Sequence, residues 1–297
     1  MGIVEEFLTP TIGGGRTVAV LARPLSGTAS MGWVICHSFG LEQVFLQPLE
    51  TPFARGLAAA GCAVLRFHCQ GYGDAELTAE HISMRSHIDD SLKAVELLTS
   101  VTQIDHIGLM GARFGGTVAA LVADRLEAQA MILWDPIVSG RTYMRTMARL
   151  SVMTELLTHR RSSNSADPLT VLREKGALDV QGFPLRREVF EEISKVDLPS
   201  DLLRFKGDSL LVQVSRSATV RPGLQLLSHR LEELGGNARS EVVTDRAADK
   251  FGRPRFRSRA AGKKVDTQST LAQSLISRTL SWERGLSEDR TGSGRQR

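Results

Sequence analysis

Residues 109–120 read LMGARFGGTVAA: an apolar run, a turn with Arg113 at its tip between Gly111 and Gly115, and then a run of helix formers. An unbroken apolar run is what a strand covered on both faces requires, and parallel strands are the ones so covered. HIGLMG (106–111) therefore reads as a strand, TVAALVADRL (117–126) as the helix after it, and AMILWD (130–135) as the next strand. Strand, helix and strand in this succession make a right-handed crossover between parallel neighbours.

The same alternation extends outward in both directions. RTVAVLARP (16–24) and MGWVICH (31–37) are strands separated by the turn SGTAS. Leu49, Phe53, Leu57 and Ala60 recur at three and four, which predicts a helix over 46–61, and CAVLRFH (62–68) follows as a strand. Ile88, Leu92, Val95 and Leu98 form one stripe of an amphipathic helix over 84–101. Downstream come the strand DSLLVQVS (208–215), a helix from Arg221 to Leu234, the strand RSEVV (239–243) and a closing helix TQSTLAQSLISRTLSW (267–282). The pattern predicts an α/β fold with a mostly parallel, doubly wound sheet. It fails between Ser139 and Leu203, where the helical TYMRTMARLSVMTELL (142–157) runs into the polar HRRSSNSADP (159–168). Residues 139–203 thus read as a helical cap inserted into a core made of 1–138 and 204–285, with 286–297 as a flexible tail.

Of the 297 residues, 42% are hydrophobic and 24% charged, which excludes a disordered, collagen-like or coiled-coil body. The net charge of +4 draws on a late segment with Arg253, Arg255, Arg257 and Arg259, in which Phe251 and Phe256 offer some stacking surface. It reads as a solvated loop, so no nucleic-acid partner is expected. Cys36, Cys62 and Cys69 are an odd number, without a CxxC or a Cys/His group at zinc spacing, so reduced thiols and no metal or cofactor are expected. MGIVEEFLTP lacks the basic and apolar regions of a signal peptide, Glu6 replaces the Ser/Thr of a myristoylation motif, and no apolar run reaches the roughly 18 residues of a span. The expectation is a cytoplasmic protein with no membrane span; a protein partner is left open.

In open parallel sheets, ligands bind at the carboxyl ends of the strands. That edge carries His37-Ser38, His68-Cys69, Arg113, Asp135 and Ser215-Arg216. Gly111 and Gly115 hold the places that flank the nucleophile of a nucleophile elbow, and Arg113 holds the nucleophile's own place. The spacing does not match a Gly-x-Gly-x-x-Gly dinucleotide loop.

CHSFG (36–40), FHCQGYGD (67–74), GARFGG (111–116) and LWDPIVSGRTYMRTMARL (133–150) together resemble the α/β-hydrolase superfamily over roughly residues 16–245. The last stretch is similar to hydrolases associated with exosortase systems, a branch grouped with serine-aminopeptidase-like enzymes. The resemblance implies hydrolysis of ester, amide or thioester bonds, an oxyanion hole helped by His37-Ser38-Phe39-Gly40, and a turn into the next helix at Gly71, Gly73 and Asp74. It also places Arg113 where the family has its serine, and a guanidinium cannot attack a carbonyl. The family's acid follows the strand 208–215, where no Asp or Glu occurs from Ser209 to Leu231, and its histidine follows the last strand, where none occurs after His229.

Two functional readings stand at this point. In one, Arg113, the helix N-terminus at Phe114, and Ser38 and Phe39 hold a small anionic or acyl ligand. In the other, the chemistry is relocated to Cys69 with His68 or His37 and Asp135, its thiolate favoured by Arg113. Against both stand structural roles: Arg113 tied to Asp135 or Asp74 as an ion pair, Asp135 capping the turn at Pro136, His37 ordering its loop, and Cys36 and Cys62 packed in the core.

Overall fold

A computed structural model describes residues 2–159, 167–246, 248, 251–252 and 267–293. The chain runs through β1 (Ile3–Leu8), the short ribbon β2 (Thr11–Ile12) and β3 (Gly15–Arg16), β4 (Ala19–Pro24), β5 (Gly32–Cys36), α1 (Leu41–Ala59), β6 (Ala63–Phe67) and α2 (Met84–Thr102). It continues through β7 (Ile107–Ala112), α3 (Phe114–Leu126), β8 (Ala130–Trp134), α4 (Gly140–His159), α5 (Pro168–Lys175), β9 (Ala177–Val180), β10 (Phe183–Arg186), α6 (Arg187–Ser194) and α7 (Leu198–Asp201). β11 (Asp208–Ser215), α8 (Pro222–Glu233), β12 (Asn237–Thr244) and α9 (Thr267–Ser293) follow.

The central sheet has the order β1-β4-β6-β5-β7-β8-β11-β12. From β6 to β12 every pairing is parallel, while β4 is antiparallel to both β1 and β6. β5, β7 and β8 are buried along their whole length, as their unbroken apolar sequences require. One face packs Phe53 and Leu57 of α1 and Leu275 of α9 against Trp33 and Trp134; the other packs α2, α3 and α8 through Leu98, Val118 and Leu227. The chain goes from β5 outward to β6 and then returns past β5 to β7, so strand order reverses between β5 and β7. Their carboxyl ends, at His37 and Arg113, therefore flank the crevice where such sheets bind ligands.

The structure departs from the sequence reading in five places. The strand expected over 16–24 opens only at Ala19, Arg16 belonging instead to the ribbon of β2 and β3. β1 is an additional edge strand, paired with β4 from Ile3↔Pro24 to Leu8↔Ala19. α1 opens at Leu41, ahead of the periodic residues that predict its start at 46. The segment between β8 and β11 is not only helical, because β9 and β10 form an antiparallel hairpin around Gln181-Gly182, both with positive φ. α9 runs to Ser293, past residue 285 where the sequence reading ends the core. Arg253 to Arg259 and most of the polar stretch 159–168 lie outside the described residues.

Candidate active site

The turn after β7 is as tight as its glycines allow. A Cβ on Gly111 would sit 2.1 Å from the Gly115 carbonyl oxygen, and one on Gly115 would sit 2.5 Å from the Cys36 carbonyl oxygen. Arg113 occupies the tip with φ 52 and ψ −123, a conformation that favours glycine and costs an arginine about 1–3 kcal/mol. Its N–H donates to the Trp134 carbonyl at 2.8 Å, and its own carbonyl accepts from Gly116 at 3.0 Å, which anchors the turn to β8 and opens α3.

The side chain of Arg113 does not stand free in the crevice. Its Nη1 donates to Asp135 Oδ2 at 2.6 Å, and its Nε lies 3.5 Å from Glu42 Oε1. Asp135 follows β8, also with positive φ, and its other oxygen is bonded by Nη2 of Arg221, the residue before α8. Glu42, buried in the first turn of α1, places Oε2 3.2 Å from Ser38 Oγ and accepts the Tyr143 hydroxyl at 2.9 Å. Burial first, and the charge of Glu42 second, push the Tyr143 hydroxyl well above its usual value, so it stays a donor. Burial, and then the charge of Arg113, lower Arg221 from the usual arginine value. Two guanidinium groups and two carboxylates thus cancel in one cluster.

Above this cluster lies a cavity of about 360 Å³. Its walls are mainly apolar, with Phe39, Ile137, Met147, Leu150, Phe183 and Leu224 contributed by the loop after β5, the start of the inserted segment, the hairpin and α8. Glu42, Arg113, Tyr143 and Arg221 supply its polar end. Gly252, beyond β12, closes against Arg113; a Cβ there would lie 3.0 Å from Arg113 Cγ. The size and the mix of an apolar wall with a few convergent polar groups are those of a small-molecule site.

The residues expected from the sequence divide between this cavity and the layer behind it. Arg113 and Phe39 line it. Phe114 is buried with its ring edge-on to Phe39 at 5.5 Å, and Ser38 is buried behind, accepting the Gly115 N–H at 3.3 Å. Asp135 is the partner of Arg113, whereas Asp74 lies beside His68 at 3.7 Å. His68 is held as an acceptor by the Asp74 N–H at 3.1 Å. His37 is buried against Tyr72 with its Nδ1 2.9 Å from the Ser38 carbonyl, and burial, reinforced by His87, drives its pKa well below the usual value. Cys69 is buried, and desolvation first and Asp90 second raise its thiol well above the usual value. None of Cys69, His37 and His68 lines the cavity, and a thiol so placed is not the thiolate that the relocated chemistry needs. Arg216 at the β11 end donates to the Arg246 carbonyl at 3.0 Å.

Glu42, Tyr143 and Arg221 were not singled out in the sequence. Glu42 and Tyr143 are 101 positions apart, and no local spacing links them. Arg221 did carry a signal, since it precedes a helix directly after an edge-contributing strand.

No family model matches the chain, and no curated protein is significantly similar to it. Solved structures are similar in fold. Est1E from Butyrivibrio proteoclasticus, determined with ferulic acid bound, matches with a TM-score of 0.59 at 16% identity, over 82% of this chain and 94% of that one. An alpha-beta serine hydrolase homologue from Coxiella burnetii matches with a TM-score of 0.53 at 16% identity, over 92% and 96%. EstE1, a thermostable carboxylesterase cloned from a metagenomic library, matches with a TM-score of 0.55 at 14% identity, over 94% and 88%. The fold is that of the α/β-hydrolases.

Proposed function

We propose that this chain uses the hydrolase fold to bind an amphipathic acyl ligand without hydrolysing it. The observation that carries the reading is the pairing of Arg113, at the tip of the elbow, with Asp135 beneath an apolar cavity. The Arg113 guanidinium keeps its proton and has no lone pair to attack with, and the carboxylates beside it are held as its ion-pair partners, so the elbow is not built to form an acyl-enzyme. What remains is a binding site: an apolar wall for a hydrocarbon or aromatic body, with Arg221, half exposed at 52%, offering donors to a head group. Because the cluster's charges cancel, a bare inorganic anion gains little there, and a carboxylate attached to an apolar body gains most. The ferulic acid of the Est1E complex is a ligand of that chemical kind.

The relocated-enzyme reading finds less support, since Cys69, His37 and His68 stand outside the cavity and Asp135 is shared by two arginines. The branch assignment to exosortase-associated hydrolases remains a proposal drawn from LWDPIVSGRTYMRTMARL.

Thermal unfolding with decanoate, ferulate, 1-decanol and phosphate at constant ionic strength tests the reading. Ligand at a hundred times Kd adds about 2.7 kcal/mol, which raises Tm by several degrees in a chain of this size. Decanoate or ferulate should do so and phosphate should not, and Leu224→Trp, which fills the cavity, should remove the effect. Turnover of p-nitrophenyl decanoate by the purified chain, or equal responses from the parent and Leu224→Trp, would overturn it.

A further inference from the structure

We propose that Cys69, His37 and His87 bind a zinc ion, in a site buried behind the carboxyl edge of the sheet. One ligating atom from each lies within 4.8 Å of the other two, and all three residues are buried. They come from three elements: His37 directly follows β5, Cys69 stands two residues after β6, and His87 lies in the first turn of α2. The fold, rather than a local spacing, brings them together, which is why the sequence shows no zinc motif.

His87 supplies a second, independent observation. Its Nδ1 lies 2.7 Å from the Ser83 carbonyl, which can only accept, so Nδ1 carries the proton and the neutral ring keeps its lone pair on Nε2. That Nε2 is buried and, in the neutral ring, has no hydrogen-bond partner among the described residues, the Ser38 carbonyl being the acceptor that only a protonated ring would use. A ring nitrogen donating to a backbone carbonyl while the other nitrogen stays free is the arrangement that orients metal-bound histidines. His37 adds a second imidazole and Cys69 a sulfur. Two imidazoles and a thiolate suit zinc, whose bonds of about 2.0–2.3 Å require the three atoms to draw closer on binding.

Charge selects the ion. Asp90, whose carboxylate accepts the Gln70 N–H at 2.8 Å, is close enough to act on Cys69 electrostatically. Burial raises the Asp90 carboxyl from its usual value, and a cation beside it favours its charged form; a divalent ion is then neutralised by the thiolate and this carboxylate together, whereas Cu⁺ would leave the buried set negative. Binding releases the Cys69 thiol proton to solvent and forms the sulfur–metal bond; no electron is transferred. The ion would fasten the loop after β5 to the end of β6 and the start of α2. This site shares no residue with the cavity lining, so it stands or falls apart from the ligand proposal.

Cobalt titration of the chelator-treated full chain, with its fold followed by far-ultraviolet circular dichroism, tests the site. One equivalent of Co²⁺ should produce a thiolate-to-cobalt charge-transfer band that Zn²⁺ bleaches, and Zn²⁺ should raise Tm. Cys69→Ser should remove the band, and Cys62→Ser should keep it. Should Cys69→Ser fail to fold, the parent chain decides: Zn²⁺ should shield Cys69 from methyl methanethiosulfonate during partial unfolding, as located by peptide mass. Absence of the band in the folded parent, its survival in folded Cys69→Ser, absence of shielding, or retention of Cu⁺ in preference to Zn²⁺ would each overturn the assignment.

Discussion

Arg113 and Asp135 directly follow Ala112 and Trp134, the last paired residues of two parallel strands, and both have a positive φ, 52° and 49°. Each directs its side chain to the other, closing the pair at 2.6 Å. The pair is a fixed one: a salt bridge this buried holds its geometry because leaving either charge alone is costly.

Removing the pair should therefore separate two contributions. Arg113→Ala leaves Asp135 with Arg221 alone and keeps the backbone strain, whereas Arg113→Gly removes the same side chain and relieves the strain. Urea unfolding should show the glycine variant about 1 kcal/mol more stable than the alanine variant. A cycle with Asp135→Asn should give a coupling of about 0.5–3 kcal/mol, and additivity would show that Arg221 alone satisfies the carboxylate.

The glycines of the elbow make a steric prediction. Gly111→Ala sets a Cβ against the Gly115 backbone, which cannot swing aside, and the loss should exceed about 4 kcal/mol or abolish soluble expression. Gly285→Ala in α9 meets nothing within 4 Å among the described residues and should stabilise by up to about 1 kcal/mol through helix propensity. The two midpoints in denaturant, measured against the parent, check both signs.

These glycines also mark how far the sequence could be read. The elbow and the central strands were legible because burial on both faces imposes unbroken apolar runs and the turn imposes Gly111 and Gly115. β1 was not, since Ile3–Leu8 is an edge strand whose Glu5 and Glu6 break the apolar pattern, Glu5 being held by Arg55 at 2.7 Å. The hairpin at Gln181-Gly182 carried a turn signal, but its four-residue strands are too short for alternation to register. The candidate site was half legible: position along the strand ends identified Arg113 and Asp135, while the contacts that neutralise them, Arg221 and Glu42, depend on tertiary closure that no spacing encodes.

Glu50 should make stability depend on pH. It is buried in α1, accepts from Gln43 Nε2 at 2.7 Å, and leaves Oε1 without a partner among the described residues. Burial raises its pKa from 4.5 to about 7, against the opposing effects of Gln43 and Arg66. A carboxyl group raised in the folded state binds its proton more tightly there, so its contribution is full below pH 4.5 and is lost as the pH rises to about 7. The loss is on the order of 3 kcal/mol. Glu50→Gln, which cannot ionise, should lose less stability than the parent between pH 5 and about 8, and identical pH profiles from Tm measurements would remove Glu50 as the cause.

A serine placed at the tip of the elbow should not by itself produce hydrolysis. Arg113→Ser would place a hydroxyl at the tip of the elbow, but the residues around it are Asp135, Arg221, Glu42 and Tyr143, none of them an imidazole. A serine without a base is a poor nucleophile, and triad members act as a unit, so one of them introduced by itself adds little. Loss of Arg113 also frees Asp135 to pair fully with Arg221, which keeps that carboxylate from acting as a base. Purified Arg113→Ser should cleave p-nitrophenyl acetate and p-nitrophenyl decanoate no faster than the parent. A gain of tenfold or more that is blocked by a fluorophosphonate would mean that a general base reaches the elbow, and His37, the imidazole on the neighbouring strand end, would be the first residue to replace in search of it.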